Sequence, residues 1–477
     1  MSNTAQQQPS SIASGVPGSE ASRKGERSKS SSDSTQPGRK KLHHALLAAE
    51  IVSDEISQQR ETNHDVTAVA DQVAALDPVK DSDRLWELVD ELGRAQQTGW
   101  QYVEPSNHEA IIEVLPPDTG TASVDDSTMR EKIHGGWLGR IAGCNLGKPV
   151  ERGPGPQWTR AHIKSYLELV DAYPLRDYIP KTDEEIDGYV FVECWPRTTR
   201  GRVSGSARDD DIDYAILGVH LLDKYGRSYT SEDVGHEWLT LLPFLQIYTA
   251  ERVAMRNLIY GLKPPATASY RNPYREWIGA QIRADAFGWT NPGAPRAAAL
   301  LAISDATLSH TANGIYGEMW AAALIAAAFT ASNAREALSV SLQHIPPHSR
   351  LAEALRDVRL WYDAGLSWSD AMDRVDDTYG HYGWVHTINN AAAVAAAVLW
   401  GDGDFSATIG YAVQAGMDTD SNGATAGSVA GVFAGAESIP SHWVDPLEDR
   451  ITTAVFGYDN VPISDLAERT ILLAQHA

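Results

Sequence analysis

Two carboxylates and two hydroxyls fall within four residues at Asp418-Thr419-Asp420-Ser421, directly ahead of a run of small residues, Asn422-Gly423-Ala424-Thr425-Ala426-Gly427. Asp and Ser suit a helix N-terminus, because their oxygens accept from backbone N–H groups that lack a partner inside the helix. Held rigidly, the same oxygens are the hard ligands that Mg²⁺ asks for. An EF-hand loop also opens Asp-x-Asp-x-Asn-Gly, but its twelfth position must be Glu and here it is Val429, which excludes that reading. For this stretch alone, an acidic helix cap without a cation stays the alternative.

A second acidic run, Asp209-Asp210-Asp211 with Asp213, opens another apolar segment, carried by Tyr214, Ile216, Leu217, Val219, Leu221 and Leu222. Three consecutive carboxylates repel one another, and some of their pKa values rise unless a cation neutralises them. Both runs begin apolar helices, so both can point into one cleft; two such ligand sets suit a pair of cations about 4 Å apart. A solvated acidic cap is the alternative for the Asp run by itself. The third element is Gly-rich, from Gly135 through Gly139 and Gly143 to Gly147-Lys148-Pro149-Val150-Glu151. Pro149 ends its helix. Glu151 is delivered just past that end, as a general acid/base or a further ligand.

These residues need helices to hold them, and the pattern supplies helices. Gly427, Gly431 and Ala434 recur at helical spacing, so the segment 420–434 is expected to pack with its backbone close to a neighbour. Further helices are expected over 129–143, 160–171, 211–224, 250–260, 274–284, 313–332, 387–400, 404–415 and 445–455, among others. Gly188-Tyr189-Val190-Phe191-Val192 is the best strand candidate. The spacing therefore predicts an all-α domain of many short helices over 128–477. Residues 1–41 are rich in Ser and Gln, lack apolar periodicity and are expected to be a disordered tail. Residues 42–127 read as a helical lead-in followed by a connector. One lead-in helix carries Leu42, Leu46, Leu47, Ile51 and Ile56. A second carries Leu85, Trp86, Leu88, Val89 and Leu92 behind an Asp81 cap. The stretch 98–125, with Pro105, Pro116 and Pro117, is expected to be extended.

Composition limits the partners. A formal charge of −23 over 477 residues disfavours nucleic-acid binding, which needs clustered Lys and Arg. Two cysteines support neither a disulfide framework nor a cysteine-based zinc site. No apolar run is long enough to span a bilayer and no secretory signal is visible, so a cytoplasmic protein is expected.

Taken in order, the three elements resemble the ADP-ribosylglycohydrolase family. The Gly-Lys-Pro-Val-Glu end of the opening helix resembles the family's Gly-x-Pro-x-Glu. Asp209-Asp210-Asp211 stands where the family commonly has Thr-Asp-Asp-Thr, with Asp209 at the place of the first Thr. Gly416-Met417-Asp418-Thr419-Asp420-Ser421 is similar to Gly-x-Asp-Thr-Asp-Ser/Thr. The segments Ser309–Glu318 and Trp384–Asn390 also look like a bacterial branch of the family, and the likeness covers about 128–455.

The resemblance implies a compact multi-helix fold with a binuclear Mg²⁺ (or Mn²⁺) cleft and hydrolysis at the anomeric carbon of an ADP-ribosyl group, on a protein or a small molecule. By position it implies Asp209, Asp210, Asp211, Asp418, Asp420 and Ser421 as metal ligands, and Glu151 or Asp210 as general acid/base. Gly293 and Arg296 of the loop 291–296 are candidates for the pyrophosphate, and His310, Tyr316, His386 and Asn389 for the base or ribose. A silent relative that only binds, and a hydrolase of another nucleotide-sugar, are the competing readings.

Overall fold

Gly135, Gly139, Gly143 and Gly147 recur every fourth residue and so lie along one face of a helix. In the computed structural model, which describes residues 47–118, 120–152 and 158–476, they lie in the helix Asp126–Gly147 and face the helix Thr419–Ala434. A Cβ added at Gly135, Gly139, Gly143 or Gly147 would meet the carbonyl of Gly431, Gly427, Gly423 or Thr419 respectively. The same holds in reverse at Gly423, Gly427 and Gly431. The pairing order makes the helices antiparallel, with backbones in contact over their length. The start of one is thereby fixed beside the end of the other, where the Thr419 hydroxyl donates to Gly147 O at 2.9 Å.

The opening helix begins at Asp125, whose side chain accepts from Thr128 N at 3.0 Å. Pro149 converts its end into a short 3-10 turn, Lys148–Val150. Around this pair the interior is helical. Every residue of Asn313–Ala328 is buried, and Thr387–Gly401 is buried on nearly all sides. Helices that are apolar all round belong in a core. Among the described residues there is no strand, only isolated bridges such as Ser206 with Ile451.

The lead-in helices Ala48–Glu61 and Ser82–Leu92 bury Ile51, Val52, Ile56, Leu85, Leu88, Val89 and Leu92 together with Ala250, Val253 and Tyr274. They are part of the same unit, His43–Ala477, as everything after them. The tail expected over 1–41 lies outside the described residues.

Several expectations are corrected. Segment 188–192 forms no strand: Gly188 has φ 86°, Val190 is 64% exposed, and the Tyr189 and Phe191 rings pack on Trp158 instead of pairing in a ladder. Segment 274–284 is turns ending in the 3-10 piece Gln281–Arg283, because the Arg283 guanidinium is pulled into ion pairs with Glu251 and Asp305. Segment 445–455 holds only the turn Asp445–Leu447 around Pro446. The connector is not wholly extended; it contains the helix His108–Val114, capped by Asn107. The last helix, Ile463–Gln475, lies beyond the expected ones.

Candidate metal centre

Three chain segments bring their acids to one place. Asp209 is the N-cap of the helix Asp210–Tyr225, and its side chain accepts from Asp211 N at 3.0 Å. Gly416 and Met417, both in the left-handed region at φ 75° and 63°, turn the chain sharply into Asp418 and the helix that follows. A Cβ at Gly416 would meet Arg160 N, so this tight turn requires glycine. Asp418 N donates to Asn390 Oδ1 at 3.3 Å, and Asn422 Nδ2 donates to the same oxygen at 2.7 Å. Asn390 is itself anchored, donating to Trp384 O and His386 O. Glu151 arrives from the turn after Pro149.

Carboxylate oxygens of Glu151, Asp418 and Asp420 lie within 4.8 Å of one another, and so do those of Asp209, Asp211 and Asp420. Asp420 belongs to both groups, so the groups share an edge. Ser421 Oγ donates to Asp211 Oδ2 at 3.1 Å, linking the two acidic runs directly. Asp210 is half-buried at the same helix start. Asp213 is turned elsewhere, paired with Arg208 at 2.7 Å and accepting from Ala454 N.

The five acids of these two groups are only partly offset by two cations. Arg140, fully buried, donates to Asp211 O at 2.8 Å, to Asp211 Oδ1 at 3.3 Å and to Asp285 Oδ2 at 2.6 Å. The Lys148 ammonium forms an ion pair with Asp209. The remaining charge shows in the protonation equilibria. Burial, then neighbouring Asp420, pushes the Glu151 carboxyl well above its usual range. Burial, then Asp420 and Glu151, does the same to Asp418. Burial raises Asp211 against the opposing pull of Arg140, and raises Asp210 to about 6 against Arg208 and Lys148. Buried carboxylates that cannot all ionise alone are a hard-oxygen donor set suited to a divalent cation.

The family model described as ADP-ribosylglycohydrolase matches residues 125–476. The chain belongs to the ADP-ribosylglycohydrolase family. A solved structure described as "ADP-ribosylglycohydrolase-related protein complex" is similar at 18% identity, over 73% of this chain and 99% of that one, with a TM-score of 0.41. No curated protein matches the sequence significantly.

In this ADP-ribosylglycohydrolase family member the six candidate substrate residues are placed as follows. Gly293 O accepts from Ala122 N, and Arg296 Nη2 donates to Pro116 O, which ties the loop 291–296 to the connector. Tyr316 OH donates to Pro105 O, also in the connector. His310 sits beside Ser309 Oγ at 2.8 Å. Among the described residues, no hydrogen bond or ion pair joins these four to the carboxylate cluster. His386 and Asn389 flank the start of the helix that carries Asn390. The His386 ring stacks on Tyr382, and Asn389 Oδ1 accepts from Asn390 N at 3.0 Å.

Arg140, Lys148 and Asn390 were not singled out by sequence reasoning. An Arg inside a helix of Gly, Ala, Ile and Trp is the readable signal, because a buried guanidinium demands acidic partners.

A cavity of about 410 Å³ lies between Tyr166, Lys181, Tyr189, Phe191 and Trp195; none of the acids of the cluster lines it.

Proposed function

We propose that this protein hydrolyses the glycosidic bond of an ADP-ribosyl group carried on a protein or small molecule, with two Mg²⁺ (or Mn²⁺) ions held by the two carboxylate groups. The observation that carries this reading is Asp420, shared between two converging sets of acids that are buried except for the half-buried Glu151. Asp418, Asp420 and Glu151 would hold one ion, and Asp209, Asp211 and Asp420 the other, with Asp210 and Ser421 beside them. When bound, such ions supply positive charge that orients ribose hydroxyls and a water toward the anomeric carbon.

The chain's own residues supply the rest. A ribosyl bond breaks through an oxocarbenium-like state, and the ring of carboxylates favours that positive charge electrostatically. Asp210, which lies outside both ligand groups, can donate a proton to the departing group and then accept one from water; Glu151, where it does not hold the ion, is the other candidate. His386 and Asn389, beside Asn390, are the substrate-side residues the reading keeps. Gly293, Arg296, His310 and Tyr316 would have to act from the connector side.

Among the described residues no helix is long and apolar enough to cross a membrane, and the reading places the activity in the cytoplasm. The test is release of ADP-ribose from ADP-ribosyl-arginine with Mg²⁺ or Mn²⁺. We expect cleavage that EDTA stops and that Asp420→Asn lowers at least a hundredfold. Cleavage that survives both treatments would remove the metal-dependent reading.

A further inference from the structure

We infer that Lys148 makes the two cation positions unequal: its ammonium competes for the Asp209–Asp211–Asp420 group and leaves the Glu151–Asp418–Asp420 group as the tight site. This inference rests on the proposed metal centre and concerns how that centre is filled.

The placement of Lys148 is forced. It is the residue between Gly147, whose Cα is pressed against Thr419, and Pro149, which locks the next turn. Its backbone cannot swing away without breaking the contact between the two glycine-faced helices. Its carbonyl is also held, accepting from Cys194 Sγ at 3.5 Å. The side chain is 14% exposed and its ammonium pairs with Asp209, itself 4% exposed. An ammonium is a point charge with three donors, so it satisfies a carboxylate oxygen much as a cation would.

The two groups differ in direct pairing, although the Lys148 charge also acts at longer range on Glu151 and Asp420. No cationic side chain is paired with Glu151, Asp418 or Asp420 among the described ion pairs. Asp209 is paired with Lys148 and Asp211 with Arg140. The second group therefore starts with two of its three acids in contact with a cation, one of which, Arg140, is shared with Asp285. A divalent ion entering there must also share the space with a like charge, which low-dielectric surroundings make costly. The bidentate pull of Arg140 on Asp211 is fixed by Asp285 and Ile282 O, so it acts as scaffold. The ammonium of Lys148, on a flexible stem, is the adjustable element.

The test is Mn²⁺ binding to the metal-free full chain, followed by calorimetry and by the electron paramagnetic resonance signal of free Mn²⁺, without any activity readout. We expect one tight ion and a second at least tenfold weaker. Lys148→Met, which keeps the aliphatic stem and removes the charge, is expected to tighten the second ion at least tenfold and leave the first within a factor of three. Lys148→Arg, which keeps the charge, is expected to leave the second ion weak. Two equally tight ions in the native protein, or a Lys148→Met variant that melts normally and still binds the second ion weakly, would overturn the inference while leaving the metal centre standing. No Mn²⁺ bound by any of the three proteins would overturn both.

Discussion

Arg140 is a buried cation whose guanidinium spends its donors on Asp211 Oδ1, Asp211 O, Asp285 Oδ2 and Ile282 O. Such a group is held by geometry, and removing it strands Asp211 and Asp285 as uncompensated buried charges. We expect Arg140→Met to lower the free energy of unfolding by about 3–5 kcal/mol, read from the urea midpoint in metal-free buffer. Saturating Mg²⁺ is expected to restore part of that loss, because an ion on the Asp211 group replaces one of the missing charge partners. A loss under about 1 kcal/mol would mean that Arg140 does not hold Asp211 in place. At this scale the sequence was legible where chemistry is concentrated. The Asp209 and Asp418 runs do meet, and Asp420 stands in both groups. The partners of those acids were not legible, since Arg140, Lys148 and Asn390 are single residues whose role exists only once three segments are folded together.

The glycine-faced helix pair sets the position of the acidic tips. At Gly143 an added Cβ would collide with Gly423 O, and the obstacle is backbone on both sides, so neither helix can yield without moving. We expect Gly143→Ala to cost about 1–3 kcal/mol and to weaken Mg²⁺ binding, because the displaced helix carries Asp418 and Asp420. Gly93→Ala is the control. Gly93 has φ −61° and its added Cβ would meet only ordinary contacts, the nearest Asp90 O at 3.7 Å, so stability and binding should both stay unchanged. Equal behaviour of the two variants would contradict the positioning role. The helix expected over 420–434 is Thr419–Ala434, and that expected over 211–224 is Asp210–Tyr225. Small-residue and apolar spacing revealed these because they are buried against neighbours. The segments 274–284 and 188–192 were misread because Arg283 and the rings of Tyr189 and Phe191 answer to tertiary partners that periodicity does not show.

Across the whole molecule, several polar contacts tie the lead-in to the centre, among them Arg275 with Glu55 at 2.7 Å, Arg271 with Asp90 at 2.7 Å and a network around the buried Glu276. Glu276 accepts from Gln58 Nε2 at 3.0 Å, from Asn313 Nδ2 at 2.9 Å and from Arg350 Nη2 at 2.6 Å. Arg350 also pairs with Glu104 of the connector at 2.9 Å. Glu276 O accepts from Thr387 N, at the start of the helix whose Asn390 holds Asp418. The segment expected to be a helical lead-in packed on the main domain is therefore continuous with the scaffold behind the site. The sequence showed its two amphipathic helices, and the ionic link stayed hidden because its members are spread from residue 58 to residue 350. The all-α class was legible because Ala-rich runs of helical length dominate the chain after residue 128. All of this converges on cation binding by the folded state, which must raise stability. The most direct measurement is thermal unfolding of the metal-free protein with and without Mg²⁺ or Mn²⁺, set beside Asp420→Asn. At about a hundred times the dissociation constant, the account predicts stabilisation of about 2.7 kcal/mol that Asp420→Asn largely abolishes. An unchanged melting temperature in the native protein, or an equal shift in Asp420→Asn, would contradict a metal centre built on Asp420.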